Sequence, residues 1–312
     1  MAAVRPADRL PTLAESFVLM GTVVTLRVVG RRDSGAMKAD IRRALALMRS
    51  VETTLSRFDE GSDLRRLVAQ PGMLVPVTPM LFHALRVAVE VASLTEGAFD
   101  PSVGRIMEDL GFDCHYLTGR RVATPPPVGG DASYRDITLL EDGLGVRLER
   151  PMALDLDAVA KGLAIDLAAR SLEAWDGVLV DAGGDLFVSG VDPSGDAWKI
   201  GIEDPREPSR LLATLRLTGR AICTSGGAKR RSPTAPGAHH LVDARTGSPV
   251  PDILSCTVVG PTAMMADTVA TAAFVLGRGR ALSFIEDVGL DGLVVTSDMC
   301  VEESDGMGAW AS

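Results

Sequence analysis

Asp267 and Thr271 stand four residues apart in the segment AlaAspThrValAlaThrAla, residues 266–272. On a helix that spacing places both on one face. The neighbours Met264, Met265, Val269, Phe274 and Val275 are apolar, so the helix is expected to be buried, where an unpaired carboxylate is costly. A carboxylate beside neutral oxygens suits a hard cation such as Mg2+, which keeps coordination positions open for phosphate oxygens. Taken alone, the segment has a plainer explanation of greater weight. Asp is favoured in a first helical turn by the helix dipole, and Thr there bonds a backbone carbonyl.

Four further segments carry residue types suited to chemistry, each with an ordinary structural reading beside it. In LeuAspLeuAspAlaValAlaLysGly, residues 154–162, Asp157 is expected as an N-cap whose first turn presents N–H groups to a phosphate. Lys161 would then reach an anionic or carbonyl group, although a capped amphipathic helix with a solvated lysine also explains the pattern. AspAlaGlyGlyAsp, residues 181–185, permits a tight turn or a close approach of backbone to a ligand. In HisHisLeuValAspAlaArgThrGly, residues 239–247, His240 and Asp243 could serve as a general base and its partner. The adjacent histidines make a poor metal pair, since neighbours on a strand point to opposite faces. ThrGluGlyAlaPheAspProSerValGly, residues 95–104, reads as a corner where one helix ends at Gly97 and Asp100-Pro101 begins a new turn.

These residues need elements to position them. Phe17–Val29 is β-branched and apolar, a strand signal, and residues 36–55 have helical spacing through Ile41, Leu45, Met48 and Glu52. Thr78-Pro79 opens a helix that stops at Gly97. The stretch 113–134, with Pro125-Pro126-Pro127 and Gly129-Gly130, lacks periodicity and is the expected lobe boundary. Beyond it, strands are expected near 137–140, 146–148, 178–180, 186–188, 198–202, 211–217, 221–224, 240–242, 254–259 and 292–296, with helices over 157–174 and 262–276. Adjacent strands without regular βαβ alternation favour an α+β fold with mostly antiparallel sheets. The expected organisation is a flexible N-terminus over residues 1–15, one domain over 16–300 and a tail over 301–312.

Bulk composition narrows the function. The chain has 312 residues, 46% hydrophobic and 23% charged, as in an ordinary globular protein. Its net charge of −9 argues against a nucleic-acid or anionic-membrane surface, and Lys229-Arg230-Arg231 is too short a basic run to reverse that. An acidic chain that binds phosphate needs a cation, a helix N-terminus or a local basic cluster. The four cysteines show no ligand spacing. No stretch approaches the roughly 20 apolar residues of a membrane span, and no signal-peptide core is present, so a cytoplasmic location is expected.

In order along the chain run a MetGlyThr strand start at Met20, SerArgPheAsp at residues 56–59, the 95–104 corner, the 154–162 helix start, ValAspAlaGlyGlyAsp, CysThrSerGly, the 239–247 segment and AlaAspThrValAlaThrAla. In order and spacing the chain resembles the ApbE family, the FAD:protein FMN transferases, from about Phe17 to Thr296. The resemblance implies an α+β fold with an FAD cleft between two lobes. It implies transfer of FMN from FAD to a threonine hydroxyl of a target flavoprotein subunit, with Mg2+ as cofactor and AMP released. The family's metal ligands fall on Asp267, Thr271 and the main-chain carbonyl of Ala158. Its flavin-contacting positions fall on Met20, Phe58, Ala98, Phe99, Asp100, Asp155 and Lys161, and its histidine on His240, with Asp243 closing that motif. Phe58 takes a place often held by tyrosine. AspAlaArgThrGly replaces the usual DProArgThrGly, and Gly227-Ala228-Lys229 stands where an aromatic residue often follows ThrSerGly. FAD hydrolysis to FMN and AMP, or FAD binding without turnover, would use the same residues.

Overall fold

The computed structural model describes residues 9–122, 124, 132–228 and 230–311. Most of the proline- and glycine-rich part of the expected boundary loop, and Lys229, lie outside the described residues. In chain order the elements are β1 (Thr12–Leu19), β2 (Thr22–Val29), α1 (Ser34–Leu55), α2 (Asp63–Val68), β3 (Leu74–Pro76), α3 (Pro79–Leu94) and α4 (Gly104–Asp109). Next come β4 (Ile137–Leu140), β5 (Gly145–Leu148), α5 (Asp157–Ser171), β6 (Gly177–Ala182), β7 (Asp185–Gly190), β8 (Trp198–Glu203), β9 (Leu211–Leu217) and β10 (Arg220–Gly226). The chain closes with β11 (Val242–Asp243), β12 (Ser248–Pro249), β13 (Ile253–Gly260), α6 (Ala263–Leu276), α7 (Ala281–Asp287), β14 (Asp291–Thr296) and β15 (Val301–Glu303).

The main sheet has eight strands in the order β1-β2-β6-β7-β10-β13-β14-β15. Every neighbouring pair is antiparallel, as the sequence pattern predicts. One face packs on α1, α5 and α6, through Leu26, Ile41, Met48, Ile165, Val258 and Phe274. The other face is covered by the β8–β9 hairpin, through Trp198, Ile200, Leu215 and Leu217. Helices α5 and α6 are apolar on almost every side because both are enclosed.

The expected single strand over Phe17–Val29 is a hairpin. Met20 and Gly21 both adopt positive φ, 53° and 73°, and Leu19 pairs with Thr22 across a two-residue turn. Such a turn needs left-handed backbone at both central positions, which Met rarely supplies. The N-terminal boundary also shifts, since β1 starts at Thr12 and Leu10 N donates to Pro193 O at 2.8 Å. At the other end, Val301–Glu303 adds an edge strand rather than a tail. Buried Met307 and the bond from Trp310 Nε1 to Asp291 Oδ2, 2.9 Å, fasten the C-terminal residues beyond that strand.

Two close approaches set the geometry of the site. A Cβ on Gly162 of α5 would lie 2.4 Å from the carbonyl oxygen of Ala263, so glycine lets α5 and α6 touch backbone to backbone. The Asp166 carboxylate then accepts from Ala263 N at 2.7 Å and Met264 N at 2.9 Å, fixing the start of α6 to α5. Burial pushes Asp166 up to about 6 against those two N–H donors.

Candidate active site

A cavity of about 870 Å³ opens beside the β1–β2 and β6–β7 turns and runs inward to α5 and α6. That is near the upper end for a small-molecule site. Its inner end holds a charged triplet. Lys161, one residue before the close-packed Gly162, points its ammonium at Asp267 Oδ2, 2.7 Å away, and bonds Asp185 Oδ2. The Asp185 side chain comes off the Gly183-Gly184 hairpin turn, and its Oδ1 accepts from Thr224 N of β10 at 2.7 Å. Asp267 and Asp185 are both buried. Burial pushes Asp267 up to about 7 against the pull of Lys161, while burial of the lysine is outweighed by the two carboxylates, which raise it. The 181–185 glycine pair is thus both a hairpin turn and the carrier of an acid.

The oxygens around this triplet fit a hard divalent cation. Thr271 lies one turn beyond Asp267, and its hydroxyl is 2.9 Å from that of Ser225. The Ala158 carbonyl accepts from Thr268 Oγ1 at 3.2 Å, which ties it to the residue beside Asp267. Among the described residues no three His, Cys, Asp or Glu side chains converge as a metal cage would require. The donors here are the two buried carboxylates of Asp267 and Asp185 with hydroxyl and carbonyl oxygens nearby, all oxygen and without thiolate or imidazole, which suits magnesium better than zinc. The lysine ammonium resting between two carboxylates shows that this place attracts positive charge.

A second ionic group lines another wall. Asp157 does not cap α5: it is the first helical residue, and Leu156 holds the N-cap position without a side-chain cap. Asp157 N donates to Asp155 Oδ1 at 2.9 Å, and the Asp157 carboxylate pairs with Arg230 at 3.0 Å. Arg57 of the SerArgPheAsp segment contacts Asp155 Oδ2 at 3.0 Å, donates to the Phe112 carbonyl, and lies 4.5 Å from the Phe58 ring centroid. Burial raises Asp155, as does repulsion from Asp157, and Arg57 opposes both.

His240 faces the same cavity, with Nδ1 3.2 Å from the Arg230 carbonyl oxygen. That contact assigns the proton to Nδ1 and leaves Nε2 with its lone pair. Burial, and then the Arg230 guanidinium, push His240 from 6.5 down to about 4, so it is neutral at pH 7. Because its folded value lies below its unfolded one, the unfolded chain binds more protons between about pH 4 and pH 6.5. Its contribution to stability is complete above pH 6.5 and is lost as pH falls towards 4. The urea midpoint of wild type is expected to drop more between pH 7.5 and pH 5 than that of His240→Gln. Parallel midpoints in the two proteins would contradict this.

The other expected residues divide. Met20, Phe58, Phe99 and Asp100 line the cavity. Asp100 is also committed to structure, accepting from Ser102 N at 2.8 Å and Tyr134 N at 2.9 Å. Ala98 is fully buried, accepts from Ala244 N with its carbonyl, and does not line the cavity. Asp243 is not the partner of His240. Its carboxylate grips the Arg245 guanidinium and caps its own turn through Arg245 N, because the AlaArgThrGly sequence folds back on it. Residues absent from the sequence expectation are Glu52, Arg57, His115, Tyr116, Asp185, Ser225 and Arg230. Of these, Arg57, Asp185 and Ser225 sit in flagged segments, SerArgPheAsp, ValAspAlaGlyGlyAsp and CysThrSerGly. Among the described residues no helix is long and apolar enough to cross a membrane.

Comparison with known proteins agrees with this architecture. The model of the ApbE family matches residues 20–294. The chain is 30% identical to the FAD:protein FMN transferase of Treponema pallidum (strain Nichols), over 96% of this chain and 88% of that one. It is 28% identical to the protein of the same name from Salmonella typhimurium, over 94% and 85%. The crystal structure of the ApbE protein from Thermotoga maritima superposes with a TM-score of 0.84 at 25% identity, over 97% of this chain and 100% of that one. The apo flavinyl transferase ApbE of Pseudomonas stutzeri shares the fold, with a TM-score of 0.81 at 23% identity, over 97% and 99%. The chain belongs to the ApbE family of transferase enzymes.

Proposed function

We propose that the protein transfers FMN from FAD to a threonine hydroxyl of a target flavoprotein and releases AMP, with Mg2+ held by Asp267, Thr271 and the Ala158 carbonyl. The observation that carries this reading is the paired acid of Asp267 and Asp185 around a cationic nitrogen, at the closed end of a cavity large enough for a dinucleotide. Relatives named FAD:protein FMN transferase over most of their length support the same reading.

Bound there, Mg2+ would supply Lewis-acid stabilisation of the pyrophosphate's negative charge. The residues supply the rest. Neutral His240, with Nδ1 committed to the Arg230 carbonyl, takes the threonine proton on Nε2 as the hydroxyl oxygen bonds to the FMN-side phosphorus. The bond from that phosphorus to the bridging oxygen breaks, and AMP leaves with that oxygen and its electron pair. Lys161 holds Asp185 and Asp267 together and places a positive charge near the phosphates.

The test is incubation with FAD, MgCl2 and a flavoprotein subunit, followed by mass spectrometry of the subunit. A covalent FMN adduct that disappears with EDTA is expected. FMN and AMP without adduct would identify a hydrolase instead, and bound FAD with neither product a carrier.

A further inference from the structure

Away from the acidic end, the cavity mouth is lined by aromatic side chains, of which only Phe58 belongs to a sequence motif. Phe58 meets His115 edge to face, with centroids 5.9 Å apart and planes at 80°. His115 stacks on Tyr116 at 4.9 Å and 21°. All three line the cavity, and Tyr116 remains 41% exposed, whereas Asp267 at the other end is 4% exposed.

The wall is tethered. One oxygen of Glu52, Oε1, accepts both the Tyr116 hydroxyl at 2.7 Å and the Met20 N–H at 2.8 Å. Burial, and then Glu52, push the tyrosine up to about 12, so it remains a donor at neutral pH. A single carboxylate on α1 thus joins the loop bearing His115 and Tyr116 to the left-handed turn at Met20. An aromatic side chain open to water gains little by being held in this way unless a flat apolar surface is to lie against it.

We propose that His115 and Tyr116, held by Glu52, form the outer wall of the site for the flavin ring system, with Glu52 as a positioning residue. This rests on the reading of FAD as substrate. FAD has two planar ends, and the geometry favours the isoalloxazine. The half that is handed over must leave on the acceptor, so its rings belong at the open mouth.

The experiment titrates FMN and FAD by flavin fluorescence, and AMP by calorimetry, into wild type, Tyr116→Ala, Tyr116→Phe and Glu52→Ala. Wild type is expected to quench flavin emission. Tyr116→Ala should weaken FMN binding about tenfold, the scale of one aromatic stacking contact, and restore much of the emission while leaving AMP binding unchanged. Tyr116→Phe should keep the affinity within about threefold, because the ring remains. Glu52→Ala should move FMN affinity in the same direction as Tyr116→Ala. Unchanged FMN affinity and quenching in Tyr116→Ala would overturn the wall, as would loss of AMP rather than FMN binding. A wild type that binds neither flavin would overturn the functional reading itself, and this inference with it.

Discussion

Asp267→Ala is expected to lower FMN transfer by on the order of a thousandfold, corresponding to about 4 kcal/mol of lost transition-state stabilisation. The fold should survive. Burial pushes the Asp267 carboxyl up to about 7, so carrying its charge in the apo protein opposes stability. Lys161 keeps Asp185 as its partner when Asp267 is gone. Asp267→Asn, which retains the shape without the charge, should therefore match wild type in thermal midpoint or exceed it, as expected where a functional site holds an unfavourable charge. The discriminating measurement is the shift of the thermal midpoint on adding MgCl2. Wild type should be stabilised by mass action, and both variants should not. A variant that keeps the magnesium-dependent shift together with wild-type turnover would remove Asp267 from the metal site. If turnover alone were lost and the shift stayed, the carboxylate would act on the substrate rather than on the ion.

How far the sequence reveals this site depends on how locally each part is encoded. The i,i+4 pair of Asp267 and Thr271 is legible because one helix carries both. The Thr78-Pro79 start and the stop at Gly97 are equally local, with Gly97 at φ 83°. The Lys161–Asp185–Asp267 triplet is not legible. Its members come from a helix, a hairpin and a second helix, and they are joined through the backbone contact at Gly162, which from sequence is simply a glycine inside a helix. The hairpin at Met20 escapes notice for a different reason. Its left-handed methionine carries no turn signature, and the support it receives from Glu52 comes from another element. Local reasoning also misassigns. His240 and Asp243 are close in sequence and of suitable types, yet a two-residue reach to Arg245 satisfies Asp243 first. The cap expected at Asp157 is not formed either: Leu156 holds the N-cap position, and the carboxylates of Asp155 and Asp157 are engaged by Arg57 and Arg230 from other elements.

Arg57→Ala should be among the most destabilising single changes outside the apolar core. The guanidinium is buried, contacts Asp155 at 3.0 Å and donates to the Phe112 carbonyl. The contact with Asp155 is ionic rather than an aligned hydrogen bond, since neither Arg57 Nε nor Asp155 Oδ2 has a hydrogen-bond partner. Removing the arginine leaves a buried carboxylate without its adjacent counter-charge, which costs about 3–5 kcal/mol. Arg57→Lys should recover only part of this, because an ammonium cannot serve carboxylate and carbonyl with the same planar fork. The pH dependence separates an electrostatic cause from lost packing. Burial already raises Asp155 above its ordinary 3.8, and loss of Arg57 should raise it further. A folded value above the unfolded one means that the charged form carries the penalty, which is relieved as pH falls and the carboxyl takes up a proton. The difference in urea unfolding free energy between wild type and Arg57→Ala should therefore shrink from pH 8 to pH 5. In the double variant Arg57→Ala/Asp155→Ala, the loss should be smaller than the sum of the two single losses. A difference that stays constant with pH, together with additive losses, would mean that Arg57 acts through its contacts with Phe58 and Phe112 and not through its charge.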